Sequence, residues 1–331
     1  MRELLLDILI CPFCKDKLRI IEAERVNGDI ESGKLGCSCG KRYPIRNGIP
    51  RFVHSDDYVG NFTFEWNRFA RTQLDSSNKT QISVNRLTEV TGLENEQLDG
   101  KTVLEIGCGM GRFLEVVAKT AACVVGIDLS FSVDAARANL KGFTNVHLVQ
   151  ADIFNMPLAQ NRFDLIYSIG VLHHTPRSKE AFLCLPSLLT ENGTIAIWIS
   201  PRSRLPWLPR ATHIARYFTS QMRPQSLLNL IKRFVPLVLP LVRIPFIGRF
   251  LKGWFIPICD YKGQLPLTRE QLLEWSILDT FDLLSARYLY SYKTDEIKRW
   301  FVEGGLFDIA TAQPPVIVRA KRPKDEVLCV E

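Results

Sequence analysis

Short apolar runs alternate with helix-like stretches through the middle of the chain. The runs are rich in Val, Ile and Leu and lie at residues 103–106, 123–128, 147–152, 163–170 and 194–199. Runs of this length indicate strands that are buried on both faces of a sheet. Because strands and helices alternate from residue 101 to 199, we predict a right-handed parallel α/β sheet.

The elements that close this sheet come much later in the sequence. Residues 294–303 carry a helical pattern with acids in the first turn, and two glycines, Gly304 and Gly305, stop it. Residues 307–311 and 316–320 are predicted to be the closing strands. Residues 200–290 exceed what the sheet needs, so we predict that they form an insertion.

The composition predicts a globular, cytoplasmic protein. At 331 residues, 46% hydrophobic and 23% charged, the chain has room for one large domain and a small one. The N-terminal apolar run contains Glu3 and Asp7 and has no small-residue cleavage site, so we expect no secretory signal. Nine cysteines, of which only the first four are clustered, favour a metal site in a reducing compartment over a disulfide framework.

Gly107, Gly109 and Gly111 form a turn between the first strand and a helix, and they let a ligand lie against the main chain. Glu105 places a carboxylate where a phosphate cradle would use bare amides or a lysine. The ligand is therefore expected to carry positive charge or hydroxyl donors. S-adenosylmethionine has an ammonium, a sulfonium and a ribose. A nicotinamide-binding unit would need G-x-G-x-x-G, which is one residue longer.

The E-x-G-x-G-x-G pattern resembles the first motif of the class I S-adenosylmethionine-dependent methyltransferases. The resemblance implies an α/β fold with a Rossmann-like seven-stranded sheet whose last strand inserts antiparallel. Asp128 lies near the ~20-residue offset at which an acid binds ribose hydroxyls, and the family pattern places Asp152 and Ile153 against the adenine. The predicted cofactor-binding residues are Glu105, Gly107, Cys108, Gly109, Gly111, Asp128, Leu129, Asp152, Ile153 and Ile169.

Catalytic candidates follow the fourth strand and the insertion. His173 and His174 resemble the His-His-Thr/Ser-Pro motif of small-molecule methyltransferases, and we expect at most one of them to face the pocket. A structural imidazole bonded to a loop carbonyl and a general base are both open. Tyr288 is the third catalytic candidate. Residues 277–292 resemble a segment of the fused enzymes described below, and the polar groups expected near the substrate are Asp279, Asp282, Arg287, Tyr288 and Tyr290.

Four N-terminal cysteines, Cys11, Cys14, Cys37 and Cys39, have the spacing of two thiolate pairs. Such pairs can close a tetrahedral zinc site and hold together a domain too small for its own core. Four unrelated buried thiols are the alternative. The segment resembles the zinc ribbon of an activator of tRNA and protein methyltransferases, a ribbon that is also fused to some bacterial methyltransferases. The resemblance implies structural Zn²⁺ with no open coordination position.

An aromatic and basic linker follows the ribbon and looks like the segment that lies over the cofactor pocket in the fused enzymes. Its candidate pocket residues are Trp66, Arg68 and Gln73, and an amphipathic helix packed on the core is the alternative. We therefore predict a zinc ribbon at 1–55, a helical cover at 56–95, the methyltransferase core at 96–200 and 291–322, and a lid insertion at 201–290.

The insertion mixes apolar and aromatic residues with Arg and Lys, and much of the net charge of +7 lies there. Such a segment suits a helical lid over an apolar substrate, and it also suits a surface lying in a membrane interface. We favour the lid because the prolines between residues 234 and 258 are expected to prevent a long helix. Peripheral membrane contact remains the second interpretation.

These features predict an S-adenosylmethionine-dependent methyltransferase. The expected acceptor is a small apolar, lipid-linked or polyketide-like molecule that receives the methyl group on oxygen or carbon. An RNA methyltransferase that docks tRNA through the ribbon is one alternative, but the chain lacks the N/D-P-P-Y/F tetrapeptide, so nucleic acid is not the expected partner. A scaffold that keeps the fold without the activity is another. The pattern makes no prediction about oligomeric state.

Overall fold

A small antiparallel sheet opens the chain in the computed structural model, which describes residues 1–53, 57–202, 211–245, 248, 257–312 and 316–324. Its strands are neighbours in sequence order: β1 Arg19–Val26, β2 Asp29–Gly36, β3 Arg42–Arg46 and β4 Ile49–Pro50. Two Asn-Gly pairs, at residues 27–28 and 47–48, make the hairpin turns with positive φ at both positions. This turn geometry matches the twist of paired strands.

The central sheet has seven strands: β5 Thr102–Ile106, β6 Cys123–Asp128, β7 Val146–Gln150, β8 Phe163–Ile169, β9 Leu189–Ile199, β10 Phe307–Ala312 and β11 Val316–Lys321. They lie in the order β10-β11-β9-β8-β5-β6-β7. β5 to β9 pair in parallel, and β11 inserts antiparallel between β9 and β10. The predicted seven-stranded Rossmann-like sheet is therefore confirmed.

Two strand predictions need correction. β7 ends at Gln150, two residues before the predicted acid-capped end at Asp152. β9 begins at Leu189, well before the predicted start at residue 194, and runs through Asn192 and Gly193, a pair that favours turns. Asn192 has a φ of 59° and the pairing register with β8 shifts at this place. The local turn preference is thus present, but it is absorbed as an irregularity within a longer strand.

The helices are α1 Gly60–Arg68, α2 Asp75–Asn78, α3 Ile82–Thr91, α4 Leu114–Val117, α5 Val133–Asn139, α6 Ser178–Leu183, α7 Ala211–Thr219, α8 Pro224–Val242, α9 Arg269–Ser285 and α10 Thr294–Glu303. Short 3-10 turns at Ile153–Asn155 and Leu172–His174 follow β7 and β8. These turns bring the residues after each strand to the carboxyl edge of the sheet, where ligands of open α/β sheets bind.

The N-terminal sheet packs against β7, the edge strand of the central sheet. Arg51 lies beside Gln150 in a parallel bridge, and the Phe52 N–H donates to the Gln150 carbonyl at 2.8 Å. Arg51 Nη2 also donates to Asp134 Oδ1 at 2.7 Å. One hydrophobic cluster contains residues of both sheets, so the small sheet covers an edge that would otherwise expose unpaired backbone groups.

The insertion forms a helical layer in which α7 and α8 pack on α9. The expectation that prolines prevent a long helix is wrong for residues 224–242, because α8 continues through Pro236 and Pro240. Both prolines lie on the exposed side, while six apolar side chains of α8 are buried on the other. That burial offsets the lost hydrogen bonds. Residues 203–210, 246–247 and 249–256 of the predicted lid lie outside the described residues, and the domain bounds stay predictions.

Candidate functional site

The glycine turn is fixed to the neighbouring strand by its own amides. The N–H groups of Gly107 and Cys108 both donate to the Ile127 carbonyl, at 2.7 and 3.0 Å. Gly107 has a φ of +74°, and a Cβ there would lie 2.3 Å from a methyl carbon of Val171. The residue after β8 can therefore close against the turn only because position 107 is glycine.

Two carboxylates flank this turn, Glu105 fully buried and Asp128 partly buried. Glu105 accepts the Tyr167 hydroxyl at 3.1 Å, and burial raises the pKa of Glu105 well above its usual range. Asp128 Oδ2 accepts the Gly109 N–H at 2.8 Å, while Oδ1 accepts both the N–H and the hydroxyl of Ser130. Burial raises the pKa of Asp128, and these hydrogen bonds oppose the rise. Oδ2 keeps acceptor capacity for a ligand hydroxyl.

A cavity of about 440 Å³ opens beside the turn, within the size range of small-molecule sites. Eight of the ten predicted cofactor-binding residues line it: Glu105, Gly107, Cys108, Gly109, Asp128, Leu129, Ile153 and Ile169.

Two predicted cofactor-binding residues are not in the lining. Gly111 packs on α5, where a Cβ would lie 2.7 Å from Leu140. The Asp152 carboxylate accepts the Phe154 N–H at 3.1 Å and so caps the following 3-10 turn. A contact between Asp152 and adenine stays a prediction.

Both His173 and His174 line the cavity, which corrects the expectation that at most one of them would. They lie in a 3-10 turn, not a strand, so adjacent side chains need not point to opposite sides. His173 Nδ1 accepts the Ser200 N–H at 3.3 Å, and burial lowers the pKa of His173 well below its usual range. Burial and this hydrogen bond both favour the neutral ring, with the proton on Nε2.

His174 is oriented differently. Its Nδ1 lies 2.8 Å from the carbonyl oxygen of Tyr288, so Nδ1 carries the proton. Nε2 then faces Asp282 Oδ1 at 3.8 Å. Burial raises the pKa of Asp282, and His174 opposes the rise. The two groups face each other at the cavity wall, close enough for an electrostatic interaction but too far apart for a hydrogen bond.

Further polar residues connect α9 to the chain before α3. Arg112 donates to Gln73 at 2.9 Å, and Gln73 donates to Asp279 at 3.0 Å. The Tyr261 hydroxyl donates to the other oxygen of Asp279. Burial raises the pKa of Asp279 to about 6, and the Tyr261 hydrogen bond opposes the rise. All four residues line the cavity.

Glu65 of α1 lies close to these acids and is fully buried. Within the described part of the chain, neither oxygen of its carboxyl group has a hydrogen-bond partner. Burial, together with the nearby Asp282 and Asp279, raises the pKa of Glu65 well above 4.5. Burial therefore favours the neutral form of the Glu65 carboxyl group, which lies behind the cavity wall and not in it.

The linker and substrate-side predictions divide in two. Trp66, Gln73, Asp279 and Asp282 line the cavity, whereas Arg68, Arg287, Tyr288 and Tyr290 do not. Arg68, Arg287 and Tyr290 are exposed. The catalytic candidate Tyr288 contributes its backbone carbonyl to His174.

Sequence reasoning missed Arg112, Tyr261 and Trp275 as cavity residues. The helical spacing of Trp275, Asp279 and Asp282, at i, i+4 and i+7, is the signal that could have identified this face of α9.

The four predicted zinc ligands come together beside the N-terminal sheet, in the segment before β1 and in the loop between β2 and β3. Their Sγ atoms all lie within 4.8 Å of one another. Cys11 and Cys39 are separated by 3.8 Å, and Cys14 and Cys37 by 3.2 Å. A tetrahedral site with Zn–S bonds of about 2.3 Å requires sulfur atoms about 3.8 Å apart. The donor set therefore fits one zinc ion, and Cys39 of the C-x-C pair belongs to it.

Two family models match this chain. The Methyltransferase domain model matches residues 97–227, and the Trm112p-like protein model matches residues 2–48. The chain therefore contains a methyltransferase domain and an N-terminal Trm112-like domain. The first match covers the glycine turn, Asp128 and both histidines, and the second covers all four cysteines. The resemblances seen in the sequence are thus confirmed.

The names of curated relatives of this chain specify different acceptor molecules. The tRNA U34 carboxymethyltransferase of Cronobacter sakazakii is 33% identical over 30% of this chain and 32% of its own length. The ubiquinone biosynthesis O-methyltransferase of Pasteurella multocida is 29% identical over 45% of this chain and 70% of its own length. The sterol 24-C-methyltransferase of Pneumocystis carinii is 26% identical over 57% of this chain and 52% of its own length. The chain therefore spans about a third to two thirds of these relatives, whose names do not determine its acceptor.

Solved structures resemble this chain at low identity. One is a complex between the Haloferax volcanii Trm112 methyltransferase activator and a candidate methyltransferase (TM-score 0.45, 12% identity, 80% of this chain and 98% of that one). Another is the magnesium protoporphyrin IX methyltransferase of Synechocystis with bound S-adenosylhomocysteine (TM-score 0.42, 16% identity, covering 81% of this chain and 97% of that one). These likenesses concern the fold alone.

Proposed function

We propose that this protein transfers a methyl group from S-adenosylmethionine to oxygen or carbon of a small, largely apolar acceptor. The observation that carries the proposal is the single cavity that joins the glycine turn to the His174–Asp282 pair. Between them the wall is aromatic and apolar, with Phe62, Trp66 and Trp198 among its residues. Small-molecule sites combine such a wall with a few polar groups that fix orientation.

The turn side of the cavity suits the cofactor. Glu105 and the glycine turn would face the amino-acid part, and the open acceptor site on Asp128 Oδ2 would take a ribose hydroxyl. Leu129 and Ile153 offer apolar contacts for the adenine. Bound there, S-adenosylmethionine supplies an electrophilic methyl carbon, so that alignment and exclusion of water can contribute much of the acceleration.

The opposite side suits the acceptor and its proton. In the proposed reaction the acceptor oxygen or carbon forms a bond to the methyl carbon. The S–CH₃ bond breaks, and its electron pair stays on sulfur as S-adenosylhomocysteine. The proton of the acceptor passes to His174 Nε2 or to the Asp282 carboxylate, whichever is free of it. The acceptor must then carry an ionisable hydroxyl or an acidic C–H.

The test is methyl transfer from isotopically labelled S-adenosylmethionine to a panel of hydrophobic phenols and quinols, with tRNA in a parallel reaction. The proposal expects labelled phenols or quinols. The Asp282→Asn variant should lower kcat by about 10²- to 10⁴-fold with S-adenosylhomocysteine affinity unchanged, because general bases contribute that much. Asp295→Asn, an exposed acid on α10, is the matched control. Label only in tRNA would refute the small-molecule acceptor, and full activity in Asp282→Asn would exclude Asp282 as the proton acceptor.

A tRNA acceptor is the second candidate. It is favoured by the Trm112p-like match and by the name of the Cronobacter sakazakii relative. Because phosphate contacts release counterions, tRNA binding should weaken steeply as salt rises. Binding that is absent at low salt, or that does not change with salt, would remove this candidate.

We also propose that Cys11, Cys14, Cys37 and Cys39 bind one structural zinc ion. The close approach of four sulfur atoms supports it, and with four protein ligands no position is left for a substrate. Elemental analysis of the purified protein should find about one zinc per chain.

A further inference from the structure

Helix α8 leaves an apolar stripe exposed. Three leucines of the helix are exposed: Leu230 by 51%, Leu237 by 76% and Leu241 by 49%. Ile244, just beyond the end of the helix, is 42% exposed. Their spacings of seven, four and three residues place them on one side of a helix. The buried side chains of α8 belong to the cluster shared with α9. The stripe is therefore additional to the face that holds the helix in the fold.

The neighbouring helix α7 repeats this pattern. Ile214, Tyr217 and Phe218, at i, i+3 and i+4, are 56%, 69% and 65% exposed. α7 is held on α9 from its other side, where the Thr219 hydroxyl donates to the Leu284 carbonyl at 2.7 Å. We call the exposed apolar residues of the two helices the α7–α8 surface: Ile214, Tyr217, Phe218, Leu230, Leu237, Leu241 and Ile244. Rows of exposed apolar residues along one side of a helix, unlike single ones, mark an interaction site.

The charge of this part of the chain identifies the partner. From Arg202 to Lys262 the sequence contains eleven Lys or Arg residues and one acid, Asp260. That acid pairs with Arg243 at 2.8 Å. Lys232 and Arg233 are exposed on α8 itself. An apolar face beside cations is complementary to the surface of a bilayer with anionic headgroups, whereas a second copy of this chain would bring the same positive charge.

We infer that the α7–α8 surface binds anionic membrane, with α8 lying in the interface and not crossing the bilayer. By length and composition α8 could span a membrane, with a mean hydropathy of 1.3. However, Pro236 and Pro240 provide no N–H for the carbonyls of Lys232 and Pro236. Water at the interface can bind these carbonyls, while hydrocarbon cannot. The inference goes beyond the proposed activity and does not depend on it.

The experiment is co-sedimentation of the full chain with phosphatidylcholine vesicles, with and without phosphatidylserine. We expect binding only to the anionic vesicles, weakened by salt and released by alkaline carbonate. Leu237→Glu/Leu241→Glu should reduce the bound fraction at least about tenfold. Val302→Glu changes an exposed apolar residue of α10, 65% exposed, and should bind as the wild type does.

Circular dichroism and binding of S-adenosylhomocysteine establish that each variant is folded. Wild-type protein that ignores anionic vesicles, or a double variant that binds them normally, would overturn the inference. Resistance to carbonate would show a spanning helix and overturn the interfacial arrangement. A wild-type dimer that the double variant converts to monomer, without vesicle binding, would assign the surface to a second copy instead.

Discussion

Gly107→Ala is expected to be costly for a reason that can be separated from backbone strain. The position has a φ of +74°, and a Cβ would lie 2.3 and 2.4 Å from the two methyl carbons of Val171. Gly100 offers a matched control, because its φ is +71° and a Cβ there would meet nothing within 4 Å. Both substitutions place an alanine at positive φ, which is unfavourable, and only Gly107→Ala also displaces Val171.

The magnitudes follow from these two contributions. An alanine at positive φ costs about 1–2 kcal/mol, so Gly100→Ala should lose about that much. Overpacking costs about 1–3 kcal/mol more, which Gly107→Ala should lose in addition. Removing the two methyl groups with Val171→Ala should recover part of the difference. Recovery is partial because the Val171 Cβ is itself 2.9 Å from the added atom.

The assays are urea denaturation followed by tryptophan fluorescence, and calorimetric titration with S-adenosylhomocysteine. Gly107→Ala should weaken that binding at least about tenfold because the turn amides move, since small displacements in a site are costly. Gly100→Ala should bind normally. The reasoning would be refuted if Gly107→Ala lost no more stability than Gly100→Ala, or if Val171→Ala recovered none of the loss.

Three other predictions concern the ribbon and the buried acids. Elemental analysis of Cys37→Ser should find well under one zinc per chain in place of about one. The melting temperature of the whole chain should also fall, because residues of both sheets share one hydrophobic cluster. Cys184→Ser, which lies outside the site, should change neither the zinc content nor the melting temperature. Glu65→Gln should make stability less dependent on pH. Burial raises the pKa of Glu65 above 4.5, so the free energy of unfolding of the wild type should fall by up to about 1.4 kcal/mol per pH unit above pH 4.5, and that of the variant should not. Urea denaturation that shows the same pH dependence for both proteins would contradict this. The pH–rate profile of Asp282→Asn should also lack the limb that reports the ionisation of the His174–Asp282 pair. A profile identical to that of the wild type would exclude Asp282 as proton acceptor.

Local pattern was enough to predict the middle of the central sheet, because β5 to β8 are buried on both faces and read as short apolar runs. β6 and α10 have the predicted bounds. The errors lie where tertiary contacts override local preference. Asn192–Gly193 is absorbed into β9 by pairing with β8, and α8 survives its prolines because its buried face packs on α9.

The candidate site was predicted on the cofactor side and only partly on the acceptor side. The cofactor residues follow strand ends, whose position a sequence reveals. The acceptor side is assembled from α1, α9 and Tyr261, which the chain brings together over long separations. Two adjacent histidines could not be assigned from sequence, since their hydrogen-bond partners, Ser200 and Tyr288, lie 27 and 114 residues away.

The central claim is that one cavity holds the methyl donor at the glycine turn and the acceptor at His174 and Asp282. A crystal structure of the complex with S-adenosylhomocysteine tests it most directly. The account predicts the ribose on Asp128, the amino-acid part beside Gly107 and the sulfur directed toward the His174–Asp282 wall. A ligand bound elsewhere, or a sulfur directed away from that wall, would contradict it.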